Sequence, residues 1–289
     1  MPILDQKLEA LDVILKSYHR VIVAFSGGLD STFLAEAAIR SVGSNALAVT
    51  AISDSYPARE MRAAEKIARE IGIRFETVDT GELEIDGYAS NPVNRCYFCK
   101  SELFDKLQPI ANRYQIGTIV YGAIPDDLGD HRPGMEAARE AGIRAPLIEA
   151  NISKSEIRQA SKVWKLSTWD KPAFACLSSR FPYGTRITRQ KLRQVDQAEQ
   201  YLYDLGIRQF RVRHHDEYAR IELDSDGIKT LTEGSNRKDV VCYFRTLGYS
   251  KVGLDLSGYR SGSLNISINN QTTSGIRGLN EEIRGSIDE

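Results

Sequence analysis

No apolar stretch in this chain approaches the ~20 residues needed to cross a bilayer, and Met1-Pro2-Ile3-Leu4-Asp5 lacks the character of a signal peptide. Cysteine is scarce. Four in 289 residues make no disulfide framework, and they read as metal ligands or catalytic thiols of a reducing compartment. These absences give a cytoplasmic, membrane-free expectation. Neither sign of charge is in excess: 38 Lys and Arg stand against 39 Asp and Glu, a net charge of −1. Without a field to draw in polyanions, nucleic acid is not the expected partner. The length exceeds the ~250 residues at which single cores stop growing, so two domains are expected.

What is present is concentrated at one junction. The apolar run Val21-Ile22-Val23-Ala24-Phe25 is followed directly by Ser26-Gly27-Gly28-Leu29-Asp30-Ser31-Thr32. This reads as a buried strand, a turn that two glycines allow to approach a ligand closely, and a helix carrying Phe33, Leu34, Ala37 and Ala38 on one face. Helix N–H groups and the positive end of the dipole then face the turn and favour phosphate. It is not a Walker A loop, because no Gly-Lys-Ser/Thr follows and no lysine reaches the phosphates.

Strands at Ala46–Ile52, Arg74–Val78 and Thr118–Tyr121 alternate with helices at Ala58–Ile71 and Glu102–Tyr114, after an N-terminal helix over Leu8–Leu15. That alternation predicts an α/β fold, a parallel sheet with helices on both faces, in residues 1–175. Ligands of such sheets bind at the carboxyl ends of the strands, where the Ser26 loop, Ser53-Asp54 and Gly122-Ala123 fall. Beyond Cys176 the order changes to helix (Gln190–Leu205), antiparallel pair (Gln209–His214, Tyr218–Leu223), helix (Lys238–Leu247) and strand (Lys251–Leu256). This predicts a smaller α+β domain over 176–260. Residues 261–289, rich in Ser, Asn, Gly and Thr, are expected to be disordered or loosely docked.

Cys96 and Cys99 form a CxxC between the loop Gly87–Asn94 and a helix beginning near Ser101. At this spacing two thiols can share a metal or form a redox disulfide. Cys242, within Val240-Val241-Cys242-Tyr243-Phe244, is expected to be an inert buried residue. Cys176 stands in Ala175-Cys176-Leu177-Ser178-Ser179-Arg180-Phe181-Pro182-Tyr183-Gly184-Thr185, a loop expected to be accessible and specifically shaped.

The Ser26–Thr32 segment resembles the SGGxDS loop of the N-type ATP pyrophosphatases. The resemblance narrows to the LarE family of ATP-dependent sulfur transferases through Asp130-His131-Arg132-Pro133-Gly134, the Cys176–Thr185 segment, Arg211-Val212-Arg213 and Leu254–Gly262. It implies an adenine nucleotide α-hydrolase-like domain that binds ATP and Mg²⁺. Ser26, Gly27, Gly28, Asp30, Ser31 and Thr32 would hold the phosphates, Asp30 the Mg²⁺, and Ser53 and Gly122 would lie near the adenine. Asp126 and Asp127 lie beyond a strand end and could face the same pocket. The resemblance makes Cys176 the sulfur centre. It also implies that Cys96, Cys99 and Cys176 ligate a [4Fe-4S] cluster with one iron open to sulfide. A zinc site completed by His214 or His215 is the alternative.

Arg211 and Arg213, two apart on a strand, share a face and can converge on one phosphate. The resemblance gives that phosphate to a mononucleotide substrate, with Ser179, Arg180 and Arg260 as weaker candidates. Glu199 and Glu222 could join them, although isolated acids are more often surface residues. The implied reaction adenylates a carboxylate of pyridinium-3,5-biscarboxylic acid mononucleotide and converts it to a thiocarboxylate, with sulfide or another sulfur donor and a possible homo-oligomer as partners. A tRNA thiolase, an amide-forming NAD synthetase and a non-catalytic ATP-binding regulator with structural zinc are the competing readings.

Overall fold

The structure is a computed structural model that describes residues 2–129 and 132–260. Asp130, His131, Ser261, Gly262 and the tail expectation for 261–289 lie outside the described residues. The chain divides into two units, residues 1–178 with 183–196, and residues 179–182 with 197–289.

The first unit contains α1 (Pro2–Ser17), β1 (Val21–Ala24), α2 (Leu29–Val42), β2 (Ala46–Ile52), α3 (Ala58–Ile71), β3 (Arg74–Asp79), α4 (Asp86–Ala89), α5 (Arg95–Tyr114), β4 (Thr118–Tyr121), α6 (Pro133–Glu140), α7 (Pro146–Glu149) and α8 (Lys154–Val163). The strands form one parallel sheet in the order β3-β2-β1-β4, as the alternating pattern predicts. Period-two alternation explains why β1 is apolar throughout. Val21 and Val23 pack with Leu11, Leu15, Phe33 and Leu34 on one face, while Ile22 packs with Leu47, Leu107 and Ile119 on the other. Burying both faces makes β1 a fixed central post, and the phosphate loop follows from its carboxyl end.

In α5, Cys96 and Cys99 occupy the first turns of a helix that begins at Arg95, six residues earlier than expected. The short α4 replaces part of the expected Gly87–Asn94 loop. Two polar helices, α6 and α8, were not anticipated. In α8 only Ile157, Ala160 and Ser161 are buried, which leaves too thin an apolar stripe to read from periodicity. Its start is nevertheless written as a capping box. Ser153 Oγ accepts from Glu156 N, and Glu156 Oε2 accepts from Ser153 N at 2.8 Å.

The second unit is α+β. α9 (Arg189–Asp204) contains the division between the units and leads to β5 (Phe210–His215), β6 (Tyr218–Leu223), α10 (Ser225–Thr232), α11 (Asn236–Thr246) and β7 (Lys251–Leu254). β6 pairs antiparallel with β5 and parallel with β7. α11 turns Val240 and Phe244 inward, one helical turn apart. Cys242 lies between them in sequence and on the opposite side of the helix, so it is exposed. The expectation of a buried Cys242 is thereby corrected.

Candidate functional site

Phe25 ends β1 with its N–H donating to Val49 O at 2.9 Å and its carbonyl accepting from Thr50 Oγ1 at 2.7 Å. From this anchor the chain turns through Gly27 at φ +59. A Cβ at Gly27 would lie 2.8 Å from Ala64 Cα of α3, so both its backbone angle and its packing demand glycine. Ser31 Oγ accepts from Ser26 N at 3.2 Å, lies 3.1 Å from Ser26 Oγ and donates to Gly28 O at 3.3 Å. The two serines hold the turn shut on itself. The first N–H groups of α2 have no intrahelical acceptor and open onto this turn, forming an anion cradle. Gly122 completes its wall, since a Cβ there would stand 3.0 Å from Ser31 N.

Asp30 sits in the first turn of α2, where burial raises its carboxyl pKa, Lys154 opposes the rise and Asp127 adds to it. A carboxylate with a second acid in electrostatic reach, beside a phosphate cradle, fits an Mg²⁺ that takes one or two carboxylates and otherwise phosphate and water oxygens. Asp127 Oδ2 accepts from Ile124 N at 3.1 Å, and Asp126 Oδ2 accepts from Lys154 N at 3.1 Å. Two lysines from later in the chain reach residues of this turn. Lys154 Nζ lies 2.7 and 2.5 Å from the Asp30 oxygens, and Lys171 Nζ donates to Gly27 O at 3.0 Å. Sequence reasoning missed both because they come from 124 and 144 residues along the chain. The Ser153-x-x-Glu156 capping signature was the available signal for Lys154.

Cys176 is fixed from its C-terminal side. Leu177 N donates to Ser55 O at 2.9 Å, and Ser178 Oγ lies 2.5 Å from the Tyr88 hydroxyl. The thiol segment is thereby tied to the turn after β2, where Ser53 Oγ lies 3.0 Å from Ser55 Oγ, and to α4. Burial pushes the Cys99 thiol well up, and the charge of Cys176 pushes it further. Cys96 is exposed at its surface yet densely surrounded, and its pKa is raised by that desolvation first and by Cys176 second. Arg95, buried, gives its Nη1 to Asn91 Oδ1 at 2.7 Å and feels Cys176 and Cys96. The three thiols therefore lie within electrostatic reach of one another. Among the described residues, however, no group of three or more His, Cys, Asp or Glu side chains could hold a metal ion. Ligation of a [4Fe-4S] cluster by Cys96, Cys99 and Cys176 finds no support in their placement. The zinc alternative fares no better, and His214 is fully buried, packed against Phe181 and Tyr249.

In the second unit Arg180, Arg211 and Arg213 are buried. Arg180 is fully buried and grips Glu199 with two bonds of 2.7 and 3.0 Å. Arg213 grips Glu222 at 2.9 and 2.8 Å and donates to Ser179 O at 2.8 Å. Arg211 donates to Phe210 O at 2.6 Å beneath the Tyr259 ring, 5.0 Å from its centroid. Burial, then the neighbouring Arg180, lowers the Arg211 pKa. Glu199 and Glu222, expected at the surface, are buried ion-pair partners. Arg260 is exposed. Two of these three buried guanidinium groups are thus already committed to carboxylates of their own unit, Arg180 to Glu199 and Arg213 to Glu222.

None of the described helices is long and apolar enough to cross a membrane. The family described as NAD synthase matches residues 6–89, the stretch that contains the phosphate loop. An uncharacterized protein of Synechocystis sp. is 47% identical over 91% of this chain and 98% of its own. The pyridinium-3,5-bisthiocarboxylic acid mononucleotide synthase of Lactiplantibacillus plantarum is 37% identical over 92% of this chain and 96% of its own. An uncharacterized Methanocaldococcus jannaschii protein is 27% identical over 84% and 91%. With a phosphate loop at the sheet's carboxyl end and a likeness to the synthase along nearly its whole length, this chain belongs to the LarE family of ATP-using, sulfur-transferring enzymes built on a PP-loop domain.

Proposed function

We propose that this protein activates a carboxylate of pyridinium-3,5-biscarboxylic acid mononucleotide with ATP and converts it to a thiocarboxylate, a step in making the nickel-pincer nucleotide. The observation that carries this reading is the near full-length likeness to the Lactiplantibacillus plantarum synthase. A carboxylate oxygen attacks the α-phosphorus, the bond to the β-phosphate bridge breaks, and pyrophosphate leaves into the Ser26–Thr32 cradle. Mg²⁺ held by Asp30 would offset the phosphate charge. Carboxylates are poor electrophiles, and the acyl-adenylate supplies AMP as a leaving group. Sulfide delivered at the Cys176 centre, attacking at roughly 3–3.5 Å, displaces AMP and leaves the thiocarboxylate directly. Where the Cys176 thiolate itself attacks, displacement of AMP gives a thioester, and loss of the Cys176 Cα proton with cleavage of its Cβ–Sγ bond then releases the thiocarboxylate and leaves dehydroalanine. Cys96 and Cys99, which lie within electrostatic reach of Cys176, complete the sulfur-handling set. Arg211 and Arg213 bind the substrate phosphate, assisted by Ser179, Arg180 and Arg260, while Ser53 and Gly122 flank the adenine.

Pyrophosphate release with the mononucleotide tests the first half, and ADP with orthophosphate as products overturns it. Arg211→Ala should weaken mononucleotide binding by about 1.5–3 kcal/mol and leave ATP binding in place; an equal loss of both removes the assignment. Ser substitutions at Cys96, Cys99 and Cys176 should each stop sulfur transfer, whereas Cys242→Ser should not. Iron and sulfide analysis after anaerobic purification, with the mass of Cys176 after turnover, separates cluster-borne sulfur from sacrifice of the cysteine's own sulfur to dehydroalanine.

A further inference from the structure

ATP brings several negative charges to a loop that contains no lysine, and backbone N–H groups alone offset only part of them. Lys154 stands at the first residue of α8, and its ammonium rests on the Asp30 carboxylate at 2.7 and 2.5 Å. Its position is over-determined. The capping box fixes the start of α8, Lys7 grips Glu156 at 2.7 and 2.8 Å, and the backbone N–H of Lys154 is held by Asp126. About a third of the Lys154 side chain stays open, at 33% exposure, against 25% for Asp30. Partly exposed ion pairs of this kind add little to stability, so the needs of the fold do not account for one built this firmly.

One helical turn on, Arg158 donates to Trp169 O at 2.8 Å and to Lys171 O at 3.5 Å. That aligns Lys171, whose ammonium binds Gly27 O and pairs with Glu60 at 2.9 Å. Because a trans peptide points its carbonyl and N–H in opposite directions, holding Gly27 O turns the Gly28 N–H away from Lys171. α8 thus carries one device in Lys154, acting on the charge of the loop, and through Arg158 orients a second in Lys171, acting on its shape.

We infer that Lys154 is the phosphate-binding cation of this nucleotide site, passing from Asp30 to the β- and γ-phosphate oxygens when ATP enters and holding the pyrophosphate that leaves. Lys171 is a positioning residue that sets the Gly27-Gly28 peptide. The inference rests on the use of ATP at this loop. A lysine suits the task because it is a point charge on a flexible stem that can exchange partners, whereas an arginine fork would stay committed to the carboxylate.

Calorimetric titration of the full chain with pyrophosphate, ATP and AMP tests it. Lys154→Ala should weaken pyrophosphate and ATP roughly ten- to a hundredfold and leave AMP, which lacks the outer phosphates, unchanged. Lys154→Arg should restore part of the loss. Without divalent cation, Asp30→Asn should bind pyrophosphate more tightly than wild type, since the ammonium is no longer shared, and adding Lys154→Ala should erase that gain. Unchanged pyrophosphate affinity in Lys154→Ala overturns the inference, as does an equal fall in AMP affinity, which would mark a damaged loop. A wild-type chain that binds none of the three ligands overturns ATP use itself; one that binds them while Lys154→Ala binds equally well overturns only the role of Lys154.

Discussion

The hydroxyl of Tyr88 lies 2.5 Å from Ser178 Oγ, with both side chains buried. Tyr88 belongs to α4, which leads into the helix bearing Cys96 and Cys99, and Ser178 follows Cys176 by two residues. One buried hydrogen bond therefore ties the segment of the third thiol to the element that precedes the other two. Tyr88→Phe leaves a buried hydroxyl unsatisfied and should lower stability by about 1–3 kcal/mol in urea unfolding. Sulfur transfer should fall while ATP affinity holds.

Asp30 makes a prediction with a defined sign. Burial raises its carboxyl pKa despite Lys154, so the folded state holds this proton more tightly than the unfolded chain does. The stability it contributes is complete below the ordinary carboxylate range and is lost as pH rises through the raised value. Asp30→Asn cannot ionise, so its melting temperature at pH 7 should equal or exceed that of wild type. Turnover should fall by roughly a hundredfold or more. A melting temperature that drops at pH 7 would contradict the raised carboxyl.

Gly27→Ala meets two obstacles, the positive φ and the Ala64 backbone 2.8 Å from the new Cβ. The left-handed conformation alone costs roughly 1–2 kcal/mol, and relieving the contact moves the loop from α3. Thermal unfolding should shift down, and ATP affinity should fall with it.

Arg180→Ala leaves Glu199 buried beside a lost partner, which costs about 3–5 kcal/mol in denaturant unfolding. Arg180→Lys should recover only a fraction, because one ammonium cannot reproduce two parallel bonds.

The thiol of Cys99 is pushed up by burial and by Cys176. Only thiolate reacts, so alkylation at pH 8 should be far slower at Cys99 than at exposed Cys242, rising about tenfold per pH unit until the raised value is passed. Peptide mapping after timed alkylation reads this directly.

The sheet and the phosphate loop were legible because their signals are local. Period two in β1, period 3.6 in α2 and two adjacent glycines each act within a few residues. α3 and β2 match the expected bounds residue for residue, since Gly72 at φ +73 stops the one and the apolar run defines the other. What escaped was either faintly patterned or distant. α8 has a narrow apolar stripe, and α5 begins at a residue with no side-chain cap. Cys242 was misjudged because a run of apolar letters wraps a helix and cannot all face one way. The burial of Glu199 and Glu222 depends on arginines elsewhere in the chain, and no local pattern announces such a partner.

The reach of α8 and of the segment after it also bears on how the chain acquires its function during synthesis. β1 and its glycine turn emerge early, yet Lys154 and Lys171 bind them from 124 and 144 residues later. The central strand needs β4 beside it as well. A nascent chain can therefore form α1, β1, α2 and β2 through short-range contacts while its turn still lacks both ammonium groups. Closing such long loops is the slow part of folding. A ligand that favours the completed turn over the open one should therefore act late in this sequence and stabilise the last segments to close by mass action.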